Sequence, residues 1–280
     1  MPDRRENLDR LKAELVQMHP AAPGPPDEPR RQQLCRHLAA ELPLSHGTGV
    51  APFAAICESG SLLSARELDA RGIKPLDRAA PCVEVTLGTD DAVFLFAGPF
   101  RLAEVECGLL FRATLADGRA ADSAASPFDS GGLIHHHCPP DGEDCQAFLA
   151  RHELPVPDYR EYLEIVLHRL FLDPWHYVDG VAPVREGPVR LVCRDADCRR
   201  WTFEVRVERE VPIQAHLQAV FCSRSTVGNY GSVQKMLHWC DAHRVDIVVY
   251  PTPRTAAAAG HEELKLQSIQ YIRKLAVAVA

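Results

Sequence analysis

Apolar positions along the chain follow two rhythms. Leu8, Leu11, Leu15 and Met18 recur at helical spacing among charged residues and predict an amphipathic helix over 3–18. Pro20, Pro23, Pro25 and Pro26 end it, because each lacks the N–H that a continuing helix would need. Residues 1–30 therefore read as a helical arm on a Pro-rich, semi-rigid linker, and 31–280 as a single α+β domain. Helices are expected over 31–42, 50–58, 64–70, 158–172, 234–244 and 261–280. Gly60 stands where a helix end calls for positive φ, and Ser64 stands where the next helix calls for a cap.

The second rhythm is that of short β-rich runs bounded by turn residues. They predict a strand-like entry at Leu44 that a Gly-broken turn ends, and strands near 83–88, 92–98, 108–115, 188–193, 199–208, 216–222 and 246–251. Strands outnumber helices in the middle of the chain and do not alternate regularly with them, which favours a mixed β-sheet with peripheral helices over a doubly wound sheet. Residues 117–145 form a long stretch rich in Gly, Pro, Asp and Ser, expected to be a solvated loop or lid.

Composition narrows the class. The 280 residues are 46% apolar, enough to fill a core, and no stretch approaches the roughly 20 apolar residues of a membrane helix. The first residues are charged and lack the apolar segment of a signal peptide, so the reading is a cytoplasmic protein whose ten Cys are reduced thiols. A net charge of −7 argues against a protein that holds nucleic acid through phosphates alone.

The most informative stretch is Ser45-His46-Gly47-Thr48-Gly49, where an imidazole stands next to backbone that a ligand can approach without meeting a Cβ. A histidine with a purely structural role is the competing reading. Downstream come Ile56-x-x-x-Gly60-x-Leu62 and the strand Ala92-Val-Phe94-Leu-Phe96-Ala97. In this order the residues resemble the ADP-ribosyltransferase superfamily. In poly(ADP-ribose) polymerases and tRNA 2′-phosphotransferases a His-Gly-Ser/Thr element opens the NAD cleft and an aromatic strand follows. Phe94 replaces the family's tyrosine, and Phe96 is an alternative alignment. The family's later glutamate matches Glu204 in Arg200-Trp-Thr-Phe-Glu204-Val-Arg206-Val, followed by Val211-Pro212 as in toxins of the DarT type. The resemblance spans about 40–250.

It implies an ADP-ribosyltransferase-like core and NAD as substrate. Cleavage of the nicotinamide–ribose bond builds positive charge on the ribose, which a fixed carboxylate stabilises more in the transition state than in the ground state. By resemblance, Glu204 is the catalytic residue. His46, Gly47 and Thr48 bind the cofactor, and Phe94 or Phe96 stacks on nicotinamide, worth about 1 kcal/mol beyond burial. Strand alternation places Glu204 and Arg206 on a polar face that either lines a cleft or is an exposed face with Glu204 paired to Arg206 or Arg200. Glu210 is a second catalytic candidate, and Thr202 stands where arginine-modifying members carry Glu.

Arg71, Lys74 and Arg78 are either diphosphate contacts or solvated surface. His135, His136, His137, Cys138 and Cys145, with Cys193 and Cys198, raise the question of a metal, but consecutive side chains diverge and no metal is assigned. Cys57 and Cys222 are thiols without a telling His spacing. The resulting reading is a transferase, a toxin or defence enzyme, moving ADP-ribose from NAD to nucleic acid or protein, with no membrane partner. A degenerate binding module and an NAD glycohydrolase are the alternatives.

Overall fold

The computed structural model describes residues 3–20, 28–73, 81–101, 105–134, 136–193, 198–251 and 257–279. The chain forms two compact units, each made of several segments. The first comprises Met1–Leu42, Cys82–Thr89 and Ala116–Arg206, the second Pro43–Pro81, Asp90–Leu115 and Val207–Ala280. Among the described residues no helix is long and apolar enough to cross a membrane.

The first unit carries helices α1 (Arg4–Met18), α2 (Glu28–Glu41), α5 (Pro81–Leu87), α6 (Cys145–His152), α7 (Tyr159–Leu170) and α8 (Trp175–Asp179). The helix expected over 3–18 forms, capped by Asp3, whose carboxylate accepts from Arg5 N at 2.8 Å. It is no free arm: Leu8, Leu11 and Leu15 are fully buried, and α1 packs on α6 and α7. Asn7 Nδ2 fastens it by donating to the carbonyls of Ala150 and Glu153, both at 3.0 Å. In α7, Tyr159, Tyr162, Leu163, Val166, Leu167 and Leu170 form the buried face.

Two expectations for this unit need correction. The run expected as a strand at 83–88 is helix α5: Val83 and Leu87, four residues apart, are buried, while Val85 between them is 62% exposed. Pro81 suits a first helical turn, and Gly88 at φ +68° ends it. The stretch 117–145 is not a solvated loop. Short 3-10 turns and strands β5 (Ser123–Ser126) and β6 (His137–Cys138) run through it, and Ser126, Phe128, Asp129, Ser130, Leu133 and His137 are buried. Strand β6 pairs with β7 (Val192–Cys193), all that forms of the strand expected at 188–193.

The second unit holds β1 (Leu44–Thr48), β2 (Ser61–Leu63), β3 (Ala92–Ala97), β4 (Cys107–Phe111), β9 (Glu210–Pro212), β10 (Leu217–Ser223) and β11 (Asp246–Tyr250). Its helices are α3 (Val50–Ser59), α4 (Ala65–Ala70), α9 (Ile213–His216), α10 (Arg224–Asn229), α11 (Gly231–Ala242) and α12 (Ala257–Val279). Gly60 closes α3 at φ +74°, and the Ser64 hydroxyl caps α4 by accepting from Glu67 N, as the sequence predicts. Strand β1 pairs antiparallel with β3 and β4, β4 with β10 antiparallel, and β10 with β11 in parallel. Every residue of β4 is buried, the signature of a central strand covered on both faces.

The chain passes from the first unit to the second within β8 (Glu204–Glu208). With it the seven-stranded, mostly antiparallel sheet has the order β11-β10-β4-β1-β3-β8-β5. The fold class is mixed α+β with peripheral helices, as the pattern of elements implies.

Candidate active site

In the second unit the His-Gly-Thr element lies on β1, in the middle of the sheet. His46, Gly47 and Thr48 are half-buried. His46 Nδ1 lies 3.0 Å from the Phe94 carbonyl oxygen. A carbonyl only accepts, so Nδ1 carries the proton and Nε2 is left as the ring's acceptor. Desolvation pushes the His46 pKa below the usual histidine range, and the Phe94 hydrogen bond opposes the shift without reversing it. This sheet core therefore holds a neutral imidazole.

The register ties the histidine strand to the aromatic strand, with Leu44 opposite Ala97 and Ser45 opposite Phe96. The Ser45 hydroxyl donates to the Phe96 carbonyl at 3.1 Å. The two aromatic candidates differ in access: Phe94 is half-buried, whereas Phe96 is 8% exposed and belongs to the core. Gly47 faces Gly108 across the β1–β4 ladder. A Cβ on Gly47 would lie 3.0 Å from Val105 Cγ2, so packing of Val105 is itself a reason for glycine at this position.

In the first unit, Glu204 opens β8 and is completely buried. The polar strand face expected either to line a cleft or to be exposed is interior, and only its last member, Glu208, is exposed. The Glu204 carboxylate accepts from Ser130 N at 3.0 Å and from Ser130 Oγ at 2.7 Å. Arg206 Nε is 3.3 Å from Glu204 Oε1, and Arg206 Nη2 donates to Glu153 at 2.8 Å. Arg4 Nε completes the chain of charges at 3.1 Å from Glu153. Burial is the main force raising the Glu204 pKa; Arg206 opposes it and the nearby Asp129 charge adds to it. Asp129 is likewise pushed up, by burial first, against the pull of Arg199 and a hydrogen bond to Glu204. Two carboxyl groups in contact away from water favour holding a proton between them.

Asp129, Ser130 and Glu153 are the partners that sequence reasoning missed. The Asp-Ser-Gly-Gly run is visible in the sequence, but nothing local announces that its serine will meet a glutamate 74 positions later. Among the other candidates, Glu210 accepts from Ser61 Oγ and pairs with Arg71 at 2.8 Å, and Arg71 also holds Glu67. Lys74, Arg78 and His135 lie outside the described residues.

His137 is buried, with Nε2 3.0 Å from the Asp129 carbonyl, and a Cβ on Gly132 would fall 2.2 Å from its ring. Cys138 and Cys145 point their thiols at the carbonyls of Val192 and Leu133. No group of three or more His, Cys, Asp or Glu side chains is arranged to hold a metal among the described residues. Burial pushes the Cys57 and Cys222 thiols up to about 12, which keeps them protonated and poor nucleophiles.

No protein-family model and no curated protein matches the chain. Solved structures do. Thermus sp. 2.9 DarT in complex with ADP-ribosylated ssDNA is 13% identical with a TM-score of 0.42, covering 75% of this chain and 94% of that one. The same protein in complex with carba-NAD+ gives 13% and 0.41, covering 75% and 95%. In complex with NAD+ it gives 12% and 0.40 over the same shares.

Proposed function

We propose that the protein is an NAD-dependent ADP-ribosyltransferase that moves ADP-ribose to a nucleic-acid or protein acceptor and releases nicotinamide. The motif order His-Gly-Thr, aromatic strand, glutamate supports this reading. The observation that carries it furthest is the pairing of His46 with Phe94: two motifs 48 positions apart are joined by one hydrogen bond. In this reading the unprotonated Nε2 of His46 accepts from a ribose hydroxyl of NAD, and Phe94, the more accessible aromatic, stacks on nicotinamide. Gly47 and Thr48 contribute backbone contacts. With the shared proton on Asp129, Glu204 supplies the negative charge that the oxocarbenium-like transition state requires, and Ser130 and Arg206 fix its orientation.

A second reading has a specific observation in its favour. Glu204 has no exposed surface and its carboxylate is held by Ser130 and Arg206, as a purely structural carboxylate would be. A catalytically degenerate module that binds a nucleotide or a protein is the function this would leave.

Incubation with NAD labelled in its adenylate phosphate, in the presence of cell lysate, tests the proposal. Label transferred to material that nuclease or protease then destroys supports it and identifies the acceptor class. Label recovered only as free ADP-ribose indicates a glycohydrolase, and intact NAD after prolonged incubation leaves the binding module.

A further inference from the structure

The first unit contains a cavity of about 440 Å³ that none of the residues discussed above explains. That volume suits a small organic molecule. One wall is the buried face of α7, through Tyr162, Val166 and Leu170; Phe203 and Trp201 form another. The irregular stretch 183–191 closes it, held to α7 by the hydrogen bond from Val184 N to the Leu170 carbonyl at 2.9 Å. Val184 in this stretch is 59% exposed, an apolar residue left at the rim.

Its charged side chains are mostly cationic. Arg185, Arg190 and Arg200 line the cavity, against one acid, Glu186. The three arginines have no carboxylate partner among the described residues; Arg200 instead lies over the Trp201 ring, 4.9 Å from its centroid. Trp201 itself is 8% exposed, and its indole Nε1 is buried with no hydrogen-bond partner. A buried donor left unmet destabilises the fold, so a ligand acceptor at this position would recover a penalty already present.

We infer that this cavity is a binding site for an amphipathic organic anion, with an apolar body against α7 and a carboxylate or phosphate head among Arg185, Arg190, Arg200 and the Trp201 indole. A nucleobase fits less well, because its own N–H groups need acceptors and the side-chain lining offers only Glu186 and the Tyr162 hydroxyl against four donor side chains. The site is independent of the NAD reading: neither His46 nor Glu204 lines it.

Dodecanoate is the probe, titrated into the full-length protein by calorimetry and followed by the indole N–H signals of the three tryptophans. The expected result is saturable binding with a shift of one indole signal, identified as Trp201 by its loss in Trp201→Phe. Dodecan-1-ol, equally apolar but uncharged, binds at least about tenfold more weakly, and the Arg190→Ala/Arg200→Ala double variant loses at least as much. These arginines are exposed, so the variant keeps its fold, which circular dichroism verifies. Equal binding of the alcohol, undiminished binding by the double variant, or binding of AMP in preference to dodecanoate would overturn the inference.

Discussion

The two units bury their chemistry in different ways. The first places a network of ionisable groups in its interior: Arg206 and Glu204 are 4% and 0% exposed, and they are linked through Glu153 to Arg4 at the surface. The second buries one charged side chain among the described residues, Arg101 at 8% exposed, and is otherwise built from neutral groups: a half-buried His46, the protonated thiols of Cys57, Cys107 and Cys222, and a central strand buried along its whole length. A buried charge is tolerated only while every partner is present, whereas a buried apolar surface tolerates a change in proportion to the volume altered. The first unit should therefore fail abruptly and the second by degrees.

Arg206→Ala breaks the comparison most sharply. It strips Glu153 and Glu204 of their shared cation and should destabilise the first unit by about 3–5 kcal/mol in urea unfolding. A loss below about 1 kcal/mol would mean that the network is not under the strain of burial described here. Gly108→Ala probes the other interior. The added methyl would stand 2.2 Å from the ring of Phe100, itself packed edge-on against Phe221. Overpacking of this kind costs about 1–3 kcal/mol, and a neutral outcome would show that Phe100 has room to move.

A smaller, sign-bearing effect is that of pH. The carboxyls of Glu204 and Asp129 titrate higher in the folded state than unfolded, so the folded first unit retains protons that the unfolded chain gives up. Their contribution is full below the unfolded values and is lost as pH rises through the folded ones. His46 runs the other way: its lowered pKa makes stability fall as pH drops below 6.5, because the unfolded chain takes up the proton. His152, in the first unit and lowered to about 4 by burial, adds to that acid-side loss. Unfolding midpoints measured from about pH 5 to pH 8 should show Glu204→Gln flattening the fall on the alkaline side and His46→Gln the fall on the acid side. Identical profiles for both variants would contradict the assignment.

The sequence was most legible where the determinant is local. Leu8, Leu11 and Leu15 announced α1; Gly60 and Ser64 announced the end of α3 and the start of α4; the Phe94 strand stands where its apolar, β-rich run put it. Local pattern failed at 83–88, where β-branched valines read as a strand but only Val83 and Leu87 are buried, at a spacing that only a helix satisfies. It failed again at 117–145, where Asp, Ser and Gly read as solvent-exposed. The hydrogen-bond partner of Ser130, Glu204, comes from another part of the fold, 74 positions later. Burial of a polar residue is decided by such a partner, and no window of neighbouring residues contains it. For the candidate site, the chain offered residues and their order as an expectation; the enclosure of Glu204 and the greater access of Phe94 over Phe96 were not legible in it.

Nicotinamide release from NAD by the purified protein tests the central claim most directly, with Glu204→Gln as its control and circular dichroism to verify the fold. The account predicts measurable release that falls about 10²–10³-fold in the variant, the loss expected when a charge aimed at the transition state is removed. Release that is unchanged in Glu204→Gln would contradict the role given to this carboxylate, and no release from the intact protein would contradict the reaction itself.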